Sequence, residues 1–156
     1  MPWRNATFSM YPTLHDKVSQ LLNEAGLDLS FHNKDTGGGG GAIKTKDSCI
    51  MGRFECHNPK CESTGWSSLK IAITIRQYRG QKYNARVYHQ RCQRCNWVSR
   101  PDLDEGSYAE RVTYWLKKWN GVDVKKSPSS GERKGPHDRE LCEGCKAGHC
   151  PDLERW

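Results

Sequence analysis

Two cysteines separated by two residues end the stretch Val87-Tyr88-His89-Gln90-Arg91-Cys92-Gln93-Arg94-Cys95. The same spacing recurs in Cys142-Glu143-Gly144-Cys145, and Cys56 and Cys61 form a third pair with four intervening residues. A turn of this kind points two thiolates at one metal ion about 2.3 Å away and leaves backbone amides free to hydrogen-bond the sulfurs. Two such turns complete a tetrahedral zinc site, so the three pairs predict a fold that zinc holds together.

Eight candidate ligands are available, which is the number that two closed, four-coordinate zinc sites need. They are Cys56, Cys61, Cys92, Cys95, His137, Cys142, Cys145 and Cys150. The pairing with the shortest loops puts the first four on one zinc ion and the last four on the other. An interleaved arrangement, in which Cys142 and Cys145 join an earlier pair, stays open. Closed sites leave no metal position for a substrate, so the pattern predicts a non-enzymatic protein with two Zn²⁺ per chain.

Two other side chains that can bind metal leave alternatives to this ligand set. His149 could take the place of His137 or Cys150 as a ligand. Cys49 has no partner at metal-binding spacing and is expected to be a free thiol. A disulfide framework requires an oxidising compartment, and the amino-terminal residues lack the apolar run of a signal peptide. We therefore expect reduced thiols and a location in the cytoplasm, the nucleus or both.

The amino-acid composition gives a reason for depending on metal. Leu, Ile, Val and Phe together number 24 of the 156 residues, and the mean hydropathy is -0.91. That share is about 15%, below the ~20% under which chains are often disordered, so hydrophobic burial alone is not expected to hold the fold. The length suits one domain. No apolar run approaches the ~18 residues of a membrane-spanning helix, so no transmembrane segment is expected.

Alternating hydrophobicity predicts a β-hairpin in front of the second cysteine pair. In residues 69–76 every second side chain is leucine or isoleucine, which is typical of a half-buried strand. Residues 79–82 supply a turn, and residues 83–90 alternate again. The polar positions of both strands predict a second, solvated face of the sheet.

Helical spacing predicts two helices. The first follows an N-cap at Thr13 and ends at Gly26. The second begins with a capping box at residues 107–110 and ends at Gly121. Its apolar stripe, which we interpret as core packing against the sheet, consists of Tyr108, Val112, Trp115, Leu116 and Trp119.

Together these elements predict an α+β fold, in which an antiparallel sheet with zinc-ribbon-like hairpins is packed by a helix. A separate helical segment is expected at residues 1–33. A run of five glycines marks residues 34–48 as a flexible linker. The zinc-binding domain is then expected at residues 49–156, with an internal flexible loop at residues 125–136.

The formal net charge is +7, and the positive charge concentrates in one segment. Between Ser67 and Arg100 there are eight basic residues and no acidic one. Cations interleaved with aromatic rings are typical of surfaces that bind phosphates and stack unpaired bases. The candidate nucleic-acid-binding residues are Lys70, Arg76, Arg79, Lys82, Arg86, Tyr88, Arg91 and Arg94. We expect a basic sheet face that binds RNA or another single-stranded nucleic acid; the alternatives are a solvated face without a ligand and a protein adaptor or trafficking role.

The ordered motifs resemble the 3CxxC-type zinc-finger family, and in particular its fungal members. The resemblance runs from Gly52-Arg53-Phe54-Glu55-Cys56 through the hairpin to Leu141-Cys142-Glu143-Gly144-Cys145, about two thirds of the chain. The first pair departs from the family pattern because four residues, not two, separate its cysteines. The resemblance implies a zinc-binding, non-enzymatic module. Its relatives include receptor-transporting proteins, which help membrane receptors reach the cell surface, and zygote-arrest proteins, whose cysteine-rich end binds messenger RNA.

Overall fold

The computed structural model describes residues 6–33, 41–124 and 139–151. Within these ranges the main sheet contains β1 (Phe8–Ser9), β2 (Ser30–Phe31), β3 (Ala42–Phe54), β4 (Trp66–Tyr78), β5 (Lys82–Tyr88) and β8 (Asp102–Leu103). A separate small sheet pairs β6 (Gln90–Arg91) with β7 (Val98–Ser99). The helices are α1 (His15–Glu24), α2 (Glu105–Trp119) and α3 (Glu143–Ala147). The predicted α+β class is confirmed.

Strands β3, β4 and β5 form an antiparallel meander at the centre of the sheet, whose order is β1-β5-β4-β3-β8. Strands β4 and β5 make the expected hairpin, with Ile73 opposite Val87. The hairpin turn requires left-handed backbone, which Gly80 adopts without a steric penalty at a φ of 82°. On the other side of β4, strand β3 pairs along its length, with Ser48 opposite Ile73.

Strand β3 corrects the predicted linker. Residues 42–48, which were expected to be flexible, form the first half of β3 and pair with the last half of β4. This half lies at an edge of the sheet among the described residues, where Ile43 remains 48% exposed. An edge strand that buries little needs no apolar alternation, so residues 42–48 show no strand pattern. Residues 34–40 and the predicted loop at residues 125–136 lie outside the described residues.

The amino-terminal segment is part of the same domain, so the predicted separation of residues 1–33 is wrong for its described part. Strand β1 pairs antiparallel with β5, β2 pairs parallel with β5, and α1 packs against α2. Val18 and Leu22 of α1 are fully buried in the main core. Helix α1 begins at His15 after a 3-10 turn and has no side-chain cap, which corrects the predicted cap at Thr13.

One face of the sheet carries the main hydrophobic core, and α1 and α2 pack on it. Among the described residues, seventeen buried side chains form this core. Tyr108, Val112 and Leu116 of α2 are fully buried, whereas Trp115 and Trp119 are only partly buried against its rim. Burying one large aliphatic side chain contributes about 1.5–3 kcal/mol. The few apolar residues of this chain are thus concentrated in one place, and they form a larger core than the composition indicates.

Helix α2 begins earlier than predicted. Asp104 is its N-cap, and Asp104 Oδ1 accepts a hydrogen bond of 2.9 Å from the backbone N–H of Ser107. The predicted cap at Ser107 is therefore inside the first turn. An aspartate at this position also places a negative charge at the positive end of the helix dipole. None of the helices in the described part of the chain combines the length and the apolar composition that a membrane span needs.

The opposite face of the sheet is covered by the carboxy-terminal cysteines. The second buried cluster consists of Ala72, Tyr88, Cys142, Cys145 and Cys150. Helix α3 approaches β4 so closely that a Cβ atom on Gly144 would lie 2.4 Å from the Cβ of Ala72. Only a glycine permits this approach. The face that was expected to be solvated is therefore an interior surface at this point.

Candidate metal centres

The first cysteine cluster gathers four thiols. The Sγ atoms of Cys56, Cys61, Cys92 and Cys95 all lie within 4.8 Å of one another. The sulfur atoms of Cys56 and Cys95 are 3.4 Å apart, and those of Cys61 and Cys92 are 3.9 Å apart. Four sulfurs arranged tetrahedrally about 2.3 Å from a zinc ion would be about 3.8 Å from one another. The donor set and its spacing therefore fit a closed four-thiolate zinc site.

Two loops bring this cluster together at one end of the sheet: the β3–β4 connection and the turn between β6 and β7. The ring of Trp66 stacks on that of Phe54, with centroids 5.0 Å apart, and Trp66 Nε1 donates to Gln90 Oε1 at 3.1 Å. Ser99 Oγ donates to the carbonyl oxygen of Glu55. These contacts fix the two loops to each other next to the thiols, so the cluster is held by protein contacts on both sides.

Hydrogen bonding in the first cluster favours a thiolate. Burial opposes ionisation of Cys92, but the backbone N–H groups of Cys95 and Arg94 donate to its sulfur, and the pKa of Cys92 falls to about 6. Burial raises the pKa of Cys56 well above its usual value. One thiol thus ionises readily while its neighbour retains a proton. A zinc ion would replace the remaining protons, because only thiolates bind it.

The second cluster contains three thiols and is more deeply buried. The Sγ atoms of Cys142, Cys145 and Cys150 lie within 4.8 Å of one another. Cys142 is the N-cap of α3, and its sulfur accepts a hydrogen bond of 3.3 Å from the backbone N–H of Cys145. The hydrogen bond with Cys150, together with burial, raises the pKa of Cys142 far above its usual range. Three thiols supply three of the four positions of a structural zinc site.

The two histidines considered as ligands have different outcomes. His137 lies outside the described residues. His149 precedes Cys150, but its Nδ1 lies 3.3 Å from Oδ2 of Asp47, and its ring stacks on Tyr88 with centroids 5.9 Å apart. His149 does not belong to the group of converging ligand atoms among the described residues. In this structure it ties the third cysteine pair to strand β3.

The cysteines divide between the two clusters as the pairing with the shortest loops predicted. The first and second pairs share one cluster, and the third pair joins Cys150 in the other, so the interleaved arrangement is wrong for the described residues. Cys49 lies in β3, half-buried and outside both clusters. The two clusters fit two zinc sites.

The predicted nucleic-acid-binding residues do not form one exposed surface. Lys70, Arg76 and Tyr88 are only 7%, 2% and 2% exposed. The strand alternation placed them correctly on the face opposite the isoleucines, but that face is not solvated: the third cysteine pair, Cys150 and the side chain of Phe8 pack on it. Arg86, on the same face, is half-buried with its guanidinium 4.3 Å from the ring centroid of Phe8. The expectation of a basic, exposed sheet face is therefore wrong.

The remaining candidates lie apart from one another. Arg91 is half-buried, and its Nε donates to Oε1 of Glu143. Arg94 is exposed beside the first cysteine cluster. Arg79 and Lys82 are exposed at the β4–β5 turn, at the far end of the hairpin. Of the eight residues, only Arg94, Arg79 and Lys82 are exposed.

A different basic and aromatic surface lies on α2 and β3. Nζ of Lys46 is 4.9 Å and Nζ of Lys118 is 5.0 Å from the ring centroid of Trp115. The ring of Trp119 lies 6.2 Å from that of Trp115. We call these four residues the lysine–tryptophan surface. The sequence pattern assigned both tryptophans to the core, although Lys117 and Lys118 between them were a signal that this side of the helix meets solvent.

Comparison with known proteins agrees with the geometry. The zinc-binding domain family Zn_ribbon_3CxxC matches residues 49–148, which is well over half of the chain. No curated protein and no solved structure matched. The matched range contains the three cysteine pairs, and Cys150 lies two residues beyond it. Because this family model matches more than half of the chain, and because seven thiols gather into two clusters that fit zinc, the chain belongs to the 3CxxC zinc-ribbon family of zinc-binding domains.

Proposed function

We propose that this protein is a non-enzymatic binding module that uses the lysine–tryptophan surface to bind single-stranded nucleic acid, with RNA as the preferred ligand. The observation that carries the proposal is the pair of ammonium groups, from Lys46 and Lys118, within 5.0 Å of one half-buried indole ring. A thiolate cluster with four ligands has no open position for a substrate, which supports binding over catalysis.

The surroundings of this surface are basic. Asn120, which follows α2, exchanges hydrogen bonds with Gln77 near the end of β4, at 2.9 Å and 3.4 Å. This contact brings the end of α2 to the turn end of the β4–β5 hairpin, where Arg79 and Lys82 are exposed. Lys44, opposite Gln77 in β3, is exposed at the same end. Cations from three elements therefore meet at one end of the sheet.

The chemistry of the surface suits unpaired bases and phosphates. A base stacked on an aromatic side chain contributes about 1–3 kcal/mol, and every base has a face that can stack. Lysines at the rim neutralise phosphates and release counterions, which makes the affinity depend steeply on salt. A base that takes the place of a lysine over Trp115 would leave that ammonium free for the neighbouring phosphate. The resemblance to zygote-arrest proteins supports RNA over other single strands.

The test is the affinity of the zinc-loaded chain for a labelled single-stranded RNA of about 12 nucleotides, a length within the usual site size of such proteins. We expect the affinity to fall steeply between 50 and 200 mM salt, and Lys118→Glu to weaken binding by about tenfold. The matched control is Lys17→Glu, the same charge change at an exposed position of α1, which should leave the affinity within about twofold.

Equal losses in the two variants would mean that only the net charge matters, and would overturn the assignment of the surface. Absence of RNA binding even at low salt would overturn the proposed function itself. In that case a protein adaptor role, as the resemblance to receptor-transporting proteins implies, becomes the remaining function.

A further inference from the structure

We propose that Arg91 and Glu143 are positioning residues that couple the two zinc sites, so that zinc at either site raises the affinity of the other. This inference is independent of the proposed nucleic-acid binding. It concerns the short stretch of chain, residues 89–92, that lies between the two cysteine clusters. Both backbone edges of this stretch and the side chain of Arg91 contact segments that carry cysteine ligands.

The backbone of this stretch contacts both clusters. On one edge, β6 pairs with β7 in the small sheet that frames the turn of Cys92 and Cys95. On the other edge, Gln90 forms a bridge with Cys142. The carbonyl oxygen of His89 accepts from the N–H of Glu143 at 3.0 Å, and the N–H of Arg91 donates to the carbonyl of Leu141 at 2.8 Å. Ligand-bearing segments of both sites therefore share one stretch of backbone.

The side chain of Arg91 makes the same connection. Its Nε donates to Oε1 of Glu143, and its Nη1 donates to the carbonyl oxygen of Asn96 at 3.1 Å. Asn96 directly follows Cys95, whereas Glu143 directly follows Cys142. One guanidinium thus joins the turn of the first site to the N-terminus of α3 in the second. Glu143 is only 5% exposed, so this charge-assisted contact is largely protected from water.

The coupling is confined to the two metal sites, because the main core is separate from both of them. None of its 17 buried residues in the described part of the chain is a cysteine, so the sheet, α1 and α2 have an interior that does not depend on the metal ligands. What zinc orders is the pair of turns and α3. When one ion fixes its own turn, the shared backbone and Arg91 restrict the other turn, which then loses less conformational entropy on binding. Coupling of this kind is reciprocal by thermodynamic necessity.

The test uses Co²⁺, whose thiolate absorption bands report binding, in competition with a chelator. Cys150→Ser disables the second site and leaves the four thiols of the first site intact. We expect this change to weaken Co²⁺ binding at the first site by about tenfold, within the usual range of coupling between sites. In a chain that carries Glu143→Ala, adding Cys150→Ser should change the first-site affinity by less than about twofold.

A general loss of stability would not give this pattern, and Val112→Ala is the matched control. Val112 is fully buried in the main core, far in sequence from both clusters, so its truncation destabilises the domain without touching the junction. The tenfold effect of Cys150→Ser should persist in Val112→Ala. Glu143→Gln, which keeps an acceptor for Arg91, should retain part of the coupling.

Two results would overturn the proposal. The first is a first-site affinity that Cys150→Ser leaves unchanged. The second is an undiminished tenfold effect in the Glu143→Ala background. If Glu143→Ala does not fold, Arg91→Gln provides the same test, because Glu143 then keeps a contact with Lys146, whose Nζ is 3.6 Å away. Full coupling in Arg91→Gln would then overturn the proposal.

Discussion

Gly144 of α3 lies directly on Ala72 of β4, so that a Cβ atom on the glycine would be 2.4 Å from the Cβ of the alanine. This contact seats the second cysteine cluster on the sheet. Any side chain at position 144 would have to move α3 away from β4, because real Cβ atoms do not approach so closely.

We therefore expect Gly144→Ala to lower the free energy of unfolding by about 1–3 kcal/mol, the usual cost of overpacking. The zinc content should fall towards one ion per chain, because the displaced α3 carries Cys142 and Cys145. Thermal unfolding and elemental analysis would measure both effects. Gly106→Ala is the control: its Cβ would meet only Asp104 Oδ1, at 3.4 Å. Normal stability and two zinc ions in Gly144→Ala would contradict the close packing.

The position of Leu22 leads to a second prediction. Leu22 is fully buried between α1 and the rest of the core, so Leu22→Ala should lower the stability of the whole domain by about 2–5 kcal/mol. Chemical denaturation should still show one cooperative transition, shifted to lower denaturant. Gln20→Ala, at an exposed position of the same helix, should have little effect. If Leu22→Ala left the transition unshifted, α1 would not belong to the core, and the amino-terminal helix would be loosely tethered, as the sequence predicted.

Zinc content tests the division of the thiols. The intact chain should bind about two zinc ions, the number that two structural sites hold. Cys92→Ser should remove the ion held by the first cluster, whereas Cys49→Ser should remove none, because Cys49 lies outside both clusters among the described residues. Elemental analysis of the purified variants measures this. Loss of zinc in Cys49→Ser would contradict the ligand sets.

His89 should make stability depend on pH. Its imidazole is fully buried, with Nδ1 donating to the carbonyl of Ala6 at 2.8 Å and Nε2 accepting from Ser9 Oγ at 2.7 Å. Burial lowers the pKa of His89 from 6.5 to about 4. Between these two values only the unfolded chain binds the proton, so the stabilisation is present above pH 6.5 and is lost as the pH falls towards 4.

The expected loss is about 1.4 kcal/mol per pH unit in that window. Acid also protonates the cysteine ligands, so the measurement compares urea unfolding of the intact chain with that of His89→Gln from pH 7.5 to 5. The thiols contribute equally to both chains, and the intact chain should therefore lose more stability than the variant. Parallel pH dependences would show that His89 is not held neutral.

The sequence was most informative where the pattern was strong and local. Spacing alone identified the cysteines of both clusters, because a metal requires its ligands at fixed intervals. Alternation identified the β4–β5 hairpin and the face on which Arg76 and Tyr88 lie. Alternation shows which side chains share a face, but it does not show what packs on that face. Buried cations such as Arg76 were therefore interpreted as solvated. At Ala72 and Tyr88 the covering layer includes α3 and its cysteines, which lie more than 50 residues further along the chain.

Weak signals account for the other differences. The first half of β3 lies at an edge among the described residues and has a polar composition, so nothing in residues 42–48 indicated a strand. The short strands β1 and β2 have two residues each, too few for a period to be visible. The charge pattern drew attention to the hairpin and away from Lys46, whose partner Trp115 becomes a neighbour only after β3 packs beneath α2.

The covering of the sheet by α3 also explains how so few apolar residues suffice. A sheet with both faces buried normally requires two hydrophobic layers, one on each side. Here aliphatic and aromatic side chains form the core on one face of the sheet. The other face is covered by a thiol cluster and the five-residue helix α3. A zinc ion bound by these thiols would hold α3 on the sheet, so a small metal cluster would take the place of a second large hydrophobic layer.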